Sequence, residues 1–332
     1  MTFDSRADVV IVGGGLLGLA TSYALRGERT VTVLERETVG HARGGSHGAT
    51  RIFRLGYADA RYVEMAQRAL DAWRALETDT GSQLLHPTPQ LTFGPGADAV
   101  QEALSAAGVR VERLHAAEVG RRFPSFAGHG DAVLEPASAV IAAESTLRVL
   151  RDHCGASLVE HARVDRVDEH HVEVGGRTIE ADTVVVCAGP WTRALVPDLE
   201  THATLEHVAY VRVRGELPIF IDFTEPAVYG LPTPHTDLYK VAVHHGGPAV
   251  DPDGEFAADP VAVDALRAAI ARWLPDAELV EVDVCPYDNS TDESFIVEPR
   301  HGLVIGAGTS GHAFKFGPLL GAQLADLVRA RG

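Results

Sequence analysis

Two lysines stand alone in this chain, Lys240 in DLYKVAVHH and Lys315 in SGHAFKFG; every other one of the 29 lysines and arginines is arginine. Arginine replaces lysine as a surface charge but not as a compact, titratable amine. Two retained amines therefore point to chemistry. An ammonium can hold a carboxylate as a point charge, or stabilise negative charge developing on a small acceptor. The ordinary alternative is a lysine lying along the surface with its head in water, a job this chain gives to arginine.

Gly13, Gly15 and Gly18 follow G-x-G-x-x-G spacing, and Glu35 lies twenty positions after Gly15. Glycines let a backbone approach a pyrophosphate, a helix N-terminus offers it free N–H groups, and the acid suits a ribose diol. The spacing alone does not separate FAD from NAD. Three cysteines, Cys154, Cys187 and Cys285, are scattered and odd in number, so they read as neither a metal set nor a disulfide framework. Each is by default a small buried hydrophobe. Paired histidines such as His170 and His171 show no metal-ligand constellation.

The elements that must position these residues follow from periodicity. Val9–Val12 reads as a buried strand, Leu16–Arg26 as a helix stopped by Gly27, and Thr30–Leu34 as a second strand. A glycine- and histidine-rich loop, GHARGGSHGATRIFRLGY, then carries Arg51 and Arg54, one turn apart if that stretch is helical. Helices are expected over Tyr62–Glu77, Glu144–His153 and Val261–Trp273, with mixed, proline-punctuated chain between 87 and 137. Short strands lead into VVVCAGPW, and GLVIGAGTSGHAFKFGPLLGAQLADLV gives strand, glycine loop and closing helix. Nucleotide-type segments thus alternate with others, which implies a discontinuous two-domain fold.

Length, 332 residues, suits about two domains. A net charge of −17 argues against a nucleic-acid partner. No apolar run long enough for a membrane span occurs. The N-terminal MTFDSRADVV carries no basic leader or apolar signal core, from which a cytoplasmic location is expected.

Four further stretches, GGSHGATRIFRLGY, VVVCAGPW, LYKVAVHH with DPD downstream, and CPYDNSTDESFIVEPRHGLVIGAGTSGHAFKFG, occur in an order and spacing that resemble the monomeric sarcosine oxidase family. These flavoenzymes belong to the glycine and D-amino-acid oxidase superfamily. The resemblance implies an α/β fold in which a Rossmann-like FAD-binding domain (1–86, 138–202 and 291–332) is interleaved with a smaller α+β substrate domain (87–137 and 203–290) built on an antiparallel sheet. It implies FAD as cofactor, an amino-acid-like amine as substrate, dioxygen as acceptor, and a monomer.

Carried over residue by residue, the resemblance makes Cys285 the covalent flavin attachment, through a thioether to the 8α-methyl group. Lys240 becomes the residue that assists oxygen activation. Arg54 and Lys315 become the substrate carboxylate's partners, and Arg51 a cation beside the flavin. His244 matches an active-site histidine, and Tyr229 and Tyr287 match aromatic walls of the substrate cavity. The implied flavin site further takes in Leu16, Leu17, Arg36, Ser46, His47, Thr50, Val164, Ala188, Gly189, Trp191, Gly308, Gly311, His312 and Phe314.

The sequence departs from the family pattern at Pro286, after the cysteine, at Ala242-Val243 before His244, and through shortening near 87–130 and 214–228. These changes fall on the substrate side. The expected activity is oxidation of an N-methyl or cyclic amino acid to an imine, with hydrogen peroxide as co-product. The alternative is a biosynthetic enzyme that desaturates a cyclic imino acid toward an aromatic ring. From another class come a flavin carrier without turnover and an NAD-linked dehydrogenase that shares only the βαβ start.

Overall fold

The computed structural model describes residues 4–331. Strand β1 (Arg6–Val12) runs into the helix α1 (Leu16–Leu25), and β2 (Val31–Leu34) follows. Val10, Ile11 and Val33 are fully buried, as expected of parallel strands covered on both faces. β1 pairs in parallel with β2 on one side and Arg177–Val186 on the other. Ser157–Val159 extends the parallel set beyond β2, and Leu303–Ala307 beyond Val186. Antiparallel strands Val164–Val167, His171–Val174 and Ile296–Arg300 complete this eight-stranded sheet.

Helix α1 packs against Ala143–His153 and Gly317–Arg329, and the latter also meets Ala60–Thr80. The Trp73 indole N–H on Ala60–Thr80 donates to the Lys315 carbonyl at 2.7 Å, so this helix anchors the glycine loop that bears the lysine.

A second eight-stranded sheet has the order Glu278–Ser290, Thr201–Arg212, Leu238–Val243, Val228–Pro232, Ile219–Asp222, Gln90–Phe93, Ala132–Glu135, Glu112–Leu114. It is antiparallel except for one parallel join, between Ile219–Asp222 and Gln90–Phe93. Its core gathers Phe93, Phe126, Phe220, Tyr239 and Trp273 against the helix Pro260–Trp273. Within the 87–137 stretch the chain forms helices Ala97–Ala106 and Ala116–Arg122 as well as strands. A small third sheet, Thr50–Phe53, Ala139–Ala142 and Leu85–Pro87, pairs with neither but packs on the second through Ile52 and Val140 against Ile219 and Leu231.

That third sheet corrects one expectation. Thr50–Phe53 is a strand, so Arg51 and Arg54 are not stacked on one helical face. TRIF carries the β-branched Thr50 and Ile52 and the aromatic Phe53, it pairs with AVIA, and this strand pairing prevails over the three-residue spacing of the arginines.

Candidate active site

A cleft of about 1270 Å³ opens at the C-terminal end of β1. Gly13, Gly15, Leu16, Leu17, Glu35, Arg36, Ser46, Arg51, Val164, Ala188, Gly189, Trp191, Gly311 and Phe314 all line it. Gly13 sits at φ +106°, and a Cβ there would fall 2.3 Å from the Cys187 carbonyl oxygen. The N-cap of α1 is Gly15, which has no side chain to take up the first turn's N–H groups, and Gly15, Leu16 and Leu17 line the cleft. Leu16 N–H donates to Ser46 Oγ at 3.0 Å.

The Glu35 carboxylate accepts from the N–H groups of Gly14 and Glu37, both at 2.8 Å. Burial opposes its charge, yet His41 and these two donors hold its pKa below the usual carboxylate range. Arg36 lies over the Trp191 ring at 4.3 Å and pairs with Asp253 at 2.8 Å, while its buried Nε has no hydrogen-bond partner. Glycine backbone, helix terminus, terminal carboxylate and a flat cation–aromatic pair fit a dinucleotide such as FAD.

A second chamber of about 840 Å³ adjoins the cleft. Arg51, Tyr287, Gly311 and Phe314 line both spaces and form the wall between them. Lys240, Arg54, Lys315, His244, His312, Thr50, Cys285 and Tyr229 face the chamber, with Ile52, Val208, Ile221, Phe223, Val228 and Leu231. Among the described residues no Asp or Glu lines it.

The chamber is therefore cationic and poor in acceptors, and its pKa shifts follow. Lys240 is 4% exposed on Leu238–Val243; burial first, then the Arg51 guanidinium, bring its pKa down to about 7. Lys315, 6% exposed, is lowered well below the ordinary amine value by burial and by Arg54. Its Nζ donates to the His312 carbonyl at 2.7 Å. Burial and neighbouring cations keep the imidazoles neutral, with His244 well below its ordinary value and His312 at about 3. His244 Nδ1 is buried without a hydrogen-bond partner. Burial raises Tyr229 to about 12.

Cys285 and Asp283 lie two residues apart on Glu278–Ser290, and His47 reaches Asp283 Oδ2 at 3.3 Å. Burial disfavours a charged His47, but Asp283 and the Cys285 sulfur lift its pKa to about 10. Burial likewise pushes the Cys285 thiol up; His47, Arg51 and Lys240 overrule it and hold the thiol below its usual range. Arg51 Nη2 stands 3.8 Å from the sulfur. The result is a thiolate-favouring site, unlike Cys187, which burial raises to about 12.

Three expected site residues line neither space. Gly18 packs α1 against β1, where a Cβ would fall 1.9 Å from Gly13 O. His47 lies behind Cys285. Gly308 N–H donates to Asp288 Oδ2 at 2.8 Å, inside the loop that carries Gly311. Sequence reasoning missed Asp253, Asp288 and Glu135. Asp253 had a signal in the DPD stretch. The other two look like ordinary acids until burial singles them out.

The sequence matches the DAO family, described as FAD dependent oxidoreductase, over residues 8–327. It is 31% identical to the monomeric sarcosine oxidase of Bacillus sp. (strain B-0618), covering 97% of this chain and 92% of that one. It is 32% identical to the peroxisomal sarcosine oxidase of Homo sapiens, covering 96% and 91%. The fold superposes on NikD, an unusual amino acid oxidase essential for nikkomycin biosynthesis, with a TM-score of 0.86 at 28% identity, covering 97% of this chain and 94% of that chain.

Proposed function

The chain belongs to the DAO family of FAD-dependent oxidoreductases, and on that premise we propose that it is an amine oxidase acting on a secondary amino acid, N-methyl or cyclic. The observation that carries this reading is the cationic, carboxylate-free chamber behind the wall it shares with the nucleotide cleft. Bound FAD supplies the two-electron oxidation of a C–N bond to the imine and the return of those electrons to dioxygen as hydrogen peroxide.

The residues of the chain do the rest. Arg54 and Lys315 hold the substrate carboxylate, one as a fork and one as a point charge. No acid faces the amine, so the surrounding cations favour its reactive, unprotonated form. His244, neutral and with a free Nδ1, can accept a hydrogen bond from that amine. Tyr229, Tyr287 and the apolar wall exclude water and pack the alkyl part of the substrate. Lys240 stabilises negative charge developing on dioxygen. Arg51 braces the shared wall through the carbonyls of Thr50, His47 and Gly45. Cys285 would hold the flavin covalently, a role supported by Arg51 Nη2 at 3.8 Å from its sulfur and by its lowered pKa.

The reading includes a two-domain division at the boundaries expected from sequence, a monomer and a cytoplasmic location. Among the described residues no helix is long and apolar enough to cross a membrane.

A panel of N-methyl and cyclic amino acids tests the activity. Bleaching of the flavin with matching peroxide release is expected for at least one, and not for its methyl ester. Bleaching by the ester alone, or by none of the panel, overturns the reading. Product analysis separates a single imine from an aromatic ring, the mark of the biosynthetic alternative. Acid precipitation tests the linkage: the pellet should be yellow, and colourless for Cys285→Ala.

A further inference from the structure

Arg54 is carried by an irregular segment, residues 54–57, whose backbone is pinned from the second sheet. Glu135, at the end of Ala132–Glu135 and 1% exposed, spends both carboxylate oxygens on it. Oε1 accepts from Leu55 N–H at 2.7 Å and Oε2 from Gly56 N–H at 2.9 Å. The Arg54 guanidinium donates to the Gly56 carbonyl and lies 4.1 Å over the Tyr57 ring. A Cβ at position 56 would fall 2.7 Å from Glu135 Oε2, so any side chain there must displace that carboxylate.

A fully buried carboxylate is expensive unless its oxygens are satisfied, and two adjacent backbone donors on one side chain fix a peptide pair in one orientation. Glu135 lines neither the cleft nor the chamber. It touches the segment that follows Arg54 and leaves the reacting space alone.

We propose that Glu135 is a positioning residue: from the second sheet it fixes the Leu55–Gly56 peptides, and through them the direction in which Arg54 meets the substrate carboxylate. The inference rests on the reading of Arg54 given above. It makes carboxylate recognition depend on the register between the two halves of the site.

The test uses the holoenzyme, with benzoate and benzamide titrated through the flavin absorption spectrum. Glutamine keeps the size of Glu135 but offers one acceptor to two N–H donors. Glu135→Gln is expected to weaken benzoate about tenfold, the scale of a small misplacement of a binding group. Benzamide binding should stay within about twofold, and with substrate KM should rise while kcat holds. Arg54→Met should weaken benzoate more, and Glu135→Gln added to Arg54→Met should cost nothing further.

Gly56→Ala, which displaces the same carboxylate, is expected to repeat the pattern and serves if Glu135→Gln does not fold. Unchanged benzoate affinity in Glu135→Gln beside a weakened Arg54→Met overturns this inference and leaves the Arg54 reading standing. An unaffected Arg54→Met overturns both. Equal losses for benzoate and benzamide, or additive losses in the double variant, also overturn it, because the role would then be general support.

Discussion

The nucleotide cleft and the adjoining chamber share a wall yet are built from different materials. In the cleft, contacts come largely from backbone: glycines without room for a Cβ, an uncapped helix terminus, and a carboxylate that ties Gly14 in place. In the chamber they come from side chains, with Arg54, Lys240 and Lys315 projecting from three separate segments. Backbone geometry tolerates no substitution of the residues that create it but does not titrate. Side-chain geometry can be changed one group at a time, and its charges move with pH. The cleft is therefore suited to one fixed ligand, whereas the chamber can be altered one side chain at a time.

Breaking the cleft should have the larger effect. Gly13→Ala places a methyl 2.3 Å from a carbonyl oxygen at a backbone conformation that disfavours L side chains. Overpacking and strain of this kind cost about 1–3 kcal/mol each. The variant is expected to purify largely without FAD, read from the ratio of visible to ultraviolet absorbance. Retention of a full complement of FAD would show that the glycine cradle is not what binds it.

In the chamber a single charge can be removed with the cofactor still in place. Lys240→Met is expected to keep its flavin and its reduction by substrate, and to slow reoxidation by dioxygen about 100-fold, the scale of losing one preorganised electrostatic group. Stopped-flow mixing of reduced enzyme with oxygen measures this. Reoxidation as fast as in the parent would remove Lys240 from that role.

The smallest effect is on stability. His47 has a raised pKa, about 10 against 6.5, with Asp283 lowered below 3.8 as its partner. The pair's contribution is fully present above the unfolded Asp value and below pH 6.5, and is lost as pH rises through about 10. In the flavin-free protein, where Cys285 is a free thiol, His47→Asn should therefore lower Tm by roughly 2 °C near pH 6, with the deficit closing toward pH 10. A deficit that is constant with pH would point to lost packing instead of lost charge.

How much of this was legible in the sequence depends on which material was used. The cleft could be read because Gly13, Gly15, Gly18 and Glu35 are close in sequence and each answers a steric or electrostatic need. Lys240 and Lys315 could be read because lysine is otherwise absent. The apolar chamber wall could not. Ile221, Val228 and Leu231 come from neighbouring strands that are buried or half-buried along their whole length, so nothing local singles them out. Glu135 and Asp288 were hidden among 46 acidic residues, since burial and pairing are long-range facts. The parallel join of Ile219–Asp222 with Gln90–Phe93 links segments far apart in the chain, beyond any local periodicity.

The two buried lysines have a consequence for the outside of the molecule. With Lys240 and Lys315 both enclosed, no lysine side chain is exposed. Acylating reagents, acetyl donors and aldehyde crosslinkers thus meet a surface without ε-amines. Any ε-acylation of the folded protein would have to occur within the chamber itself, which makes acylation mapped to Lys240 or Lys315, as distinct from the α-amine, a probe of access to the site.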